Sequence, residues 1–189
     1  MPLVVGIMLA LMLAGCASAP SRVFTLTPVP SAQPAPTITL REPIEVGDVP
    51  VPAVIDRSSI VIYKDNGQLS VPPNDEWAGP LGSLIRQALT ADLQSRLGIN
   101  NVLPPGSVAP NGRLRILNLT IEQFIGNING RVVLNASWAL LNAGTSRVVH
   151  SGHEIITIQA ASGEVPDIVP AMSRALGQLA DRIAQRIAA

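Results

Sequence analysis

Cys16 is the only cysteine in 189 residues, so no disulfide can form within the chain, and the chemistry its position offers is acylation. It closes the run Leu13-Ala14-Gly15-Cys16 at the end of an apolar stretch, the arrangement of a bacterial lipobox. There a signal peptidase cuts and a diacylglyceryl thioether forms on the sulfur. From Leu3 to Gly15 the chain is apolar for 13 residues, against the roughly 20 that a membrane-crossing helix needs. The stretch therefore fits the apolar core of a signal peptide. Residues 1–15 are expected to be removed, leaving Cys16 as the first residue, carrying diacylglyceryl and N-acyl lipid. A core helix enclosing a free thiol is the competing reading and the weaker one. Only Met1-Pro2 precedes the apolar stretch, without Lys or Arg; either the α-amino group supplies the usual positive charge or the true start lies upstream.

No other residues assemble into a convincing reactive set. His150 and His153 are the only histidines, three apart in a predicted strand, so they point to opposite faces and cannot share a metal without a bulge. Ser162-Gly163 lacks the flanking Gly-x-Ser-x-Gly of a nucleophile elbow. Asp75-Glu76 stand at a predicted helix entry, where carboxylates complement the helix dipole. An enzyme is not expected, nor a metal, nor a cofactor beyond the lipid on Cys16. Thirteen basic and thirteen acidic residues cancel, which argues against a nucleic-acid surface. Charged residues make up 14% of the chain, against about 25% in ordinary globular proteins; a charge-poor surface favours lasting contact with protein or lipid.

The elements that would position these residues can be read from pattern. Residues 16–36 hold five prolines among small and polar residues and read as a spacer, on the order of 60 Å if extended at about 3 Å per residue. Val23 to Leu26 interrupts it as a candidate edge strand. Residues 37–189 form the predicted domain. Thr37 to Leu40, Ile44 to Val49 and Ser59 to Tyr63 are predicted strands, and Asn66-Gly67 is a hairpin signal before a return strand at Gln68 to Val71. Asn74 or Asp75 would cap a helix with Pro80 in its first turn. Leu81, Leu84, Ile85, Ala88, Leu89, Leu93 and Leu97 form its apolar stripe, Arg86, Gln87, Asp92, Gln94 and Ser95 its solvated side, and Gly98 its stop. A short strand at Asn101 to Leu103 precedes a three-stranded meander over Arg113 to Phe124, Arg131 to Leu141 and Arg147 to Ile158. The last helix runs from about Val165 to Ala188, with an apolar face of Val165, Ile168, Met172, Ala175, Leu176, Leu179, Ile183 and Ile187. The fold class is therefore α+β: an antiparallel sheet with two amphipathic helices on one face, a two-layer sandwich.

Several motifs in series resemble a known family. Cys16, Phe24-Thr25-Leu26, Ile44 to Pro52, Val54-Ile55-Asp56-Arg57 and Trp77-Ala78-Gly79-Pro80-Leu81, leading into the helix that ends Arg96-Leu97-Gly98, look like the ABC-type transport auxiliary lipoproteins, the PqiC/YmbA-like family. The likeness is clear from residue 16 to about 103 and architectural beyond. This chain has Asp56-Arg57-Ser58 where the family usually has Asp-Arg-Pro. The resemblance implies a docking lipoprotein that meets the periplasmic tunnel of an MCE-type lipid transport system, itself served by an inner-membrane ATPase and permease. By the sorting rule of enteric-type bacteria, Ala17 after the cysteine implies the outer membrane. Within the domain the resemblance directs attention to Ile55, Asp56, Arg57, Trp77, Pro80 and Leu81 as partner-binding positions. Against this, Asp56 and Arg57 could close a turn and Trp77 could staple the helix entry to the sheet. The docking subunit could form a homo-oligomer that extends the tunnel. A different class of function, a lipid-binding carrier or outer-membrane assembly lipoprotein, also fits the residues.

Overall fold

The computed structural model describes residues 20–31, 40–109 and 112–188; Cys16, the 1–15 segment and part of the expected spacer lie outside them. Strands are β1 (Arg22–Phe24), β2 (Ile44–Val46), β3 (Ile62–Tyr63), β4 (Leu69–Ser70), β5 (Asp75–Trp77), β6 (Val102–Leu103), β7 (Arg115–Asn127), β8 (Arg131–Asn142) and β9 (Val148–Gln159). Helix α1 is Leu81–Leu97 and α2 is Val165–Ala188. The α+β class holds, with both helices on one face of a seven-stranded sheet.

Strands β7, β8 and β9 form the long antiparallel meander that the alternating pattern predicts. Val132, Leu134, Ala136, Trp138 and Leu140 of β8 all face the helices and are buried. The far edge of β7 is shared: β2 pairs with its start and β3 with its end, both in parallel, and β6 adds to β2 in parallel. The sheet is thus mixed, not purely antiparallel. A parallel neighbour needs a crossover, and α1 supplies one between β2 and β6. Asn66 and Gly67 both take positive φ, 65° and 74°, which lets Tyr63 pair antiparallel with Leu69 across the hairpin.

Helix α2 matches its predicted bounds, and every residue of its apolar face is buried. Helix α1 begins later than a cap at Asn74 or Asp75 would place it. Pro80 occupies the cap without a side-chain hydrogen bond, and Asp75 lies in β5. There its carboxylate, fully shielded from solvent, takes the Arg22 Nε and Nη2 donors at 2.6 Å each. A buried carboxylate needs such a partner, and Arg22 is the residue that composition had placed in the spacer.

Residues 20–31 are in fact seated on the domain. β1 pairs in parallel with β5, and Leu26 is buried. The Thr27 N–H donates to Ser173 Oγ at 3.1 Å, the Val29 N–H to Asp92 Oδ1 at 2.6 Å, and the Ser31 N–H to Ser95 Oγ at 3.2 Å. Gly177 of α2 permits this approach, because a Cβ there would stand 2.9 Å from Val29 Cβ. Chain that composition marks as linker becomes a strap along the seam of the two helices, fixed by side chains far away in sequence.

That strap also corrects the reading of α1. Asp92 is wholly buried, and Arg96 nearly so. Arg96 donates from Nε to Asp181 Oδ1 at 2.6 Å and from Nη1 to the Val29 carbonyl at 3.0 Å. Arg86 is also drawn in, donating to the Val46 carbonyl at 2.8 Å, Asp48 Oδ1 at 2.9 Å and Glu45 Oε1 at 3.2 Å. The leader covers Asp92 and Arg96, while the chain at and just after β2 holds Arg86.

Candidate functional site

The two segments singled out by motif, Ile55 to Arg57 and Trp77 to Leu81, converge on one apex of the fold. Pro50 and Pro52 end the run after β2, and the chain turns: the Ile55 and Asp56 N–H groups donate to the Pro52 carbonyl at 2.9 and 3.1 Å. The next residues run beside β5. The Trp77 N–H donates to the Ser58 carbonyl at 2.7 Å, and the Ala78 N–H to the Phe24 carbonyl at 2.7 Å. From there the chain enters α1, where the Leu84 N–H reaches the Pro80 carbonyl at 3.1 Å. Three backbone segments are thereby hydrogen-bonded to one another under the apex.

Burial divides the six residues. Ile55, Trp77 and Leu81 are 5%, 7% and 1% exposed and belong to the hydrophobic core. They brace the apex. Asp56, Arg57 and Pro80 are exposed, with Val54 beside them at 40%. Asp56 and Pro80 form a ridge between two open grooves. One, of about 350 Å³, is floored by Val49, Pro50 and Gly82 and bordered by Arg86. The other, of about 330 Å³, is lined by Arg57, Ser58, Trp77 and Gly79. At Gly82 a Cβ would collide with the Val49 carbonyl oxygen, so the first groove depends on this glycine for the close approach of α1 to the chain after β2. A ridge that joins an exposed proline to one acid, with one base and Val54 beside it, suits recognition of a protein surface.

A second polar group lies on the sheet face away from the helices. A bulge between Ile121 and Gln123 turns Glu122 outward, where Ser137 Oγ donates to Glu122 Oε1 at 2.6 Å. His153 Nε2 stands 3.4 Å from Glu122 Oε2. The Ser137 hydrogen bond, with help from His153, holds the Glu122 carboxyl below its usual range. The order is serine–glutamate–histidine: the serine oxygen faces a carboxylate whose lowered pKa makes it a weak base, and the histidine lies beyond it, so the set does not match an activated nucleophile. His150 pairs with buried Leu140 and His153 with outward Ser137, placing the two histidines on opposite faces as their spacing requires. Among the described residues no three His, Cys, Asp or Glu side chains are grouped to hold a metal, and no helix is long and apolar enough to cross a membrane.

Sequence reasoning missed the Asp92–Arg96–Asp181 cluster and the strap it holds. One signal was present: Asp92 and Arg96 are four apart on α1, a spacing that pairs opposite charges, and the helical period puts both on the face of Ile85 and Leu89.

Comparison with known proteins bears on the whole chain. Residues 24–184 match the family model of the ABC-type transport auxiliary lipoprotein component. The chain is 27% identical over 184 residues to the intermembrane transport lipoprotein PqiC of Escherichia coli strain K12, covering 94% of this chain and 93% of that protein. The same values hold for PqiC of Shigella flexneri. Among solved structures, one of an uncharacterized protein superposes with a TM-score of 0.68 at 20% identity, covering 89% of this chain and 99% of the other. A Xanthomonas campestris protein gives 0.69 at 18% identity, covering 88% and 95%. These two likenesses show the fold.

Proposed function

The chain belongs to the family of ABC-type transport auxiliary lipoprotein components, and on that premise we propose that it is a non-catalytic docking subunit of an MCE-type lipid transport system. It is anchored to the periplasmic face of the outer membrane through acyl chains on Cys16. Its partner is the periplasmic MCE-domain tunnel, met by the exposed apex of Asp56, Arg57 and Pro80. The observation that carries the reading is the family match over residues 24–184, joined to a lipobox ending at Cys16. Two or three acyl chains suffice for stable anchoring, at about 0.8 kcal/mol per buried methylene. A second copy of the chain beside the first would widen the surface offered to the tunnel.

The lipid-carrier alternative needs room for an acyl chain. Between sheet and helices that space is filled by Phe124, Leu134, Leu140, Leu89 and Leu176, none more than 1% exposed. Docking is therefore the better supported of the two.

Crosslinking and mass spectrometry on native membranes tests it. Wild-type chain is expected to crosslink to an MCE-domain protein through residues beside Asp56 and Arg57. Reversing both charges, Asp56→Lys with Arg57→Glu, should abolish that crosslink while leaving the thermal midpoint unchanged, because both residues are exposed. Recovery of no MCE-domain protein from wild-type membranes would overturn the docking role.

A further inference from the structure

The strap changes how far the domain can stand from its anchor. Among the described residues Arg22 is the first tied down at both levels: its N–H donates to the Asn74 carbonyl at 2.6 Å, and its guanidinium grips Asp75 at 2.6 Å. Five residues separate Cys16 from Arg22, and the six steps between them reach about 20 Å at full extension. The strands of the meander, by contrast, run about 40 Å from pole to pole at 3.3 Å per residue. The tether is therefore about half the height of the domain, and it enters at one pole only.

That pole carries exposed apolar side chains. The Ile128 N–H donates to the Tyr63 carbonyl at 3.0 Å, and Tyr63 pairs with Leu69, so the β3–β4 hairpin and the β7–β8 turn stand together. Leu69 is 41% exposed, Val71 44% and Ile128 43%. The chain from Val71 runs through Pro73 and Asn74 to the point where Arg22 is held. Val23, beside that point, is 63% exposed. Lys64 and Arg131 are exposed at the same pole, as are Glu76 and Glu164, so neither sign dominates and contact would come from apolar burial.

We propose that this pole, through Leu69, Val71 and Ile128, rests on the phospholipid surface that holds the Cys16 acyl chains, and that the domain is presented upright from it. The proposal rests on the anchor reading above. A short tether keeps the pole at high effective concentration near the bilayer, so shallow insertion of three side chains is enough for lasting contact. The upright pose turns the opposite pole, with Ile99 and Val148, away from the membrane.

The test uses the full, lipidated chain in vesicles of phosphatidylethanolamine and phosphatidylglycerol. Because Cys16 is the only native cysteine and its sulfur would be in thioether linkage, an introduced cysteine is the one free thiol. Val71→Cys and Ile128→Cys, each labelled with an environment-sensitive fluorophore, should be quenched several-fold more by headgroup-level spin-labelled lipid than Ile99→Cys and Val148→Cys. Inserting a flexible ten-residue segment after Ser18 should reduce the quenching at Val71 and Ile128. Flotation of the chain with vesicles is measured in parallel. A chain that floats but shows equal quenching at the two poles overturns this proposal alone. One that fails to float overturns the anchor reading and this proposal with it. A photo-crosslinker at position 71 that captures protein and no phospholipid in native membranes also overturns it.

Discussion

Asp92→Asn isolates the group that holds the strap between the helices. Burial pushes the Asp92 carboxyl from 3.8 up to about 6, against the lowering effects of the Val29 N–H and of Arg96 and with a further small rise from Asp181. In the unfolded chain the group titrates near 3.8. Above pH 6 it is ionised in both states, and the folded state bears the whole cost of the buried charge. As pH falls from about 6 toward 4, the folded state takes up its proton before the unfolded one does, and stability rises. Below 3.8 both states are protonated and the cost is gone. Two pKa units at 1.36 kcal/mol each make the span about 3 kcal/mol. Asparagine keeps an acceptor for the Val29 N–H and carries no charge at any pH, while Arg96 retains Asp181 at 2.6 Å. Its amide faces the position of Asp92 Oδ2, which has no hydrogen-bond partner among the described residues, and this adds an offset independent of pH. The readout is therefore the difference between the urea midpoints of variant and wild type. It should move in favour of the variant by about 1 M between pH about 4 and about 7.5, for a urea m-value of about 2–3 kcal/mol/M. Parallel pH profiles for the two proteins would refute the assignment of a buried, charge-penalised carboxylate at this seam.

Three further outcomes are expected. Gly82→Ala would drive a Cβ into the Val49 carbonyl oxygen and should cost about 1–3 kcal/mol in chemical denaturation; unchanged stability would mean that α1 does not approach so closely. Asp75→Ala removes both acceptors of the Arg22 guanidinium, so limited proteolysis within residues 20–31 should accelerate several-fold, whereas an unchanged cleavage rate would mean that the Asp92 clasp alone holds the strap. Cys16→Ala should leave an unprocessed precursor that takes up no labelled palmitate, and equal labelling of variant and wild type would refute lipidation at this residue.

Local pattern carried much of this protein. The meander was legible because β8 sets Val132, Leu134, Ala136, Trp138 and Leu140 on one face against Arg131, Asn135 and Ser137 on the other, and a period of two needs no knowledge of neighbours. Helix α2 was legible for the same reason at a period of 3.6, and the β3–β4 hairpin because Asn-Gly accepts two positive φ values at little cost. The motif segments Ile55 to Arg57 and Trp77 to Leu81 were found as well. Their meeting at one apex was not, since it depends on hydrogen bonds from Trp77 to Ser58 and from Ala78 to Phe24 across long stretches of chain.

What the sequence determined by itself is the class of the fold, its two long helices and three long strands, and the family to which the motif series points. Only the tertiary structure decided that residues 20–31 are a strap and not a spacer, that Asp75 pairs with Arg22 and does not cap α1, and that Asp92 lies buried. The physical reason is common to all three. A proline-rich segment gains nothing locally from ordering, and a polar side chain on a helix is solvated by default. Each is captured here by partners tens of residues away, which satisfy its hydrogen bonds and cover its surface.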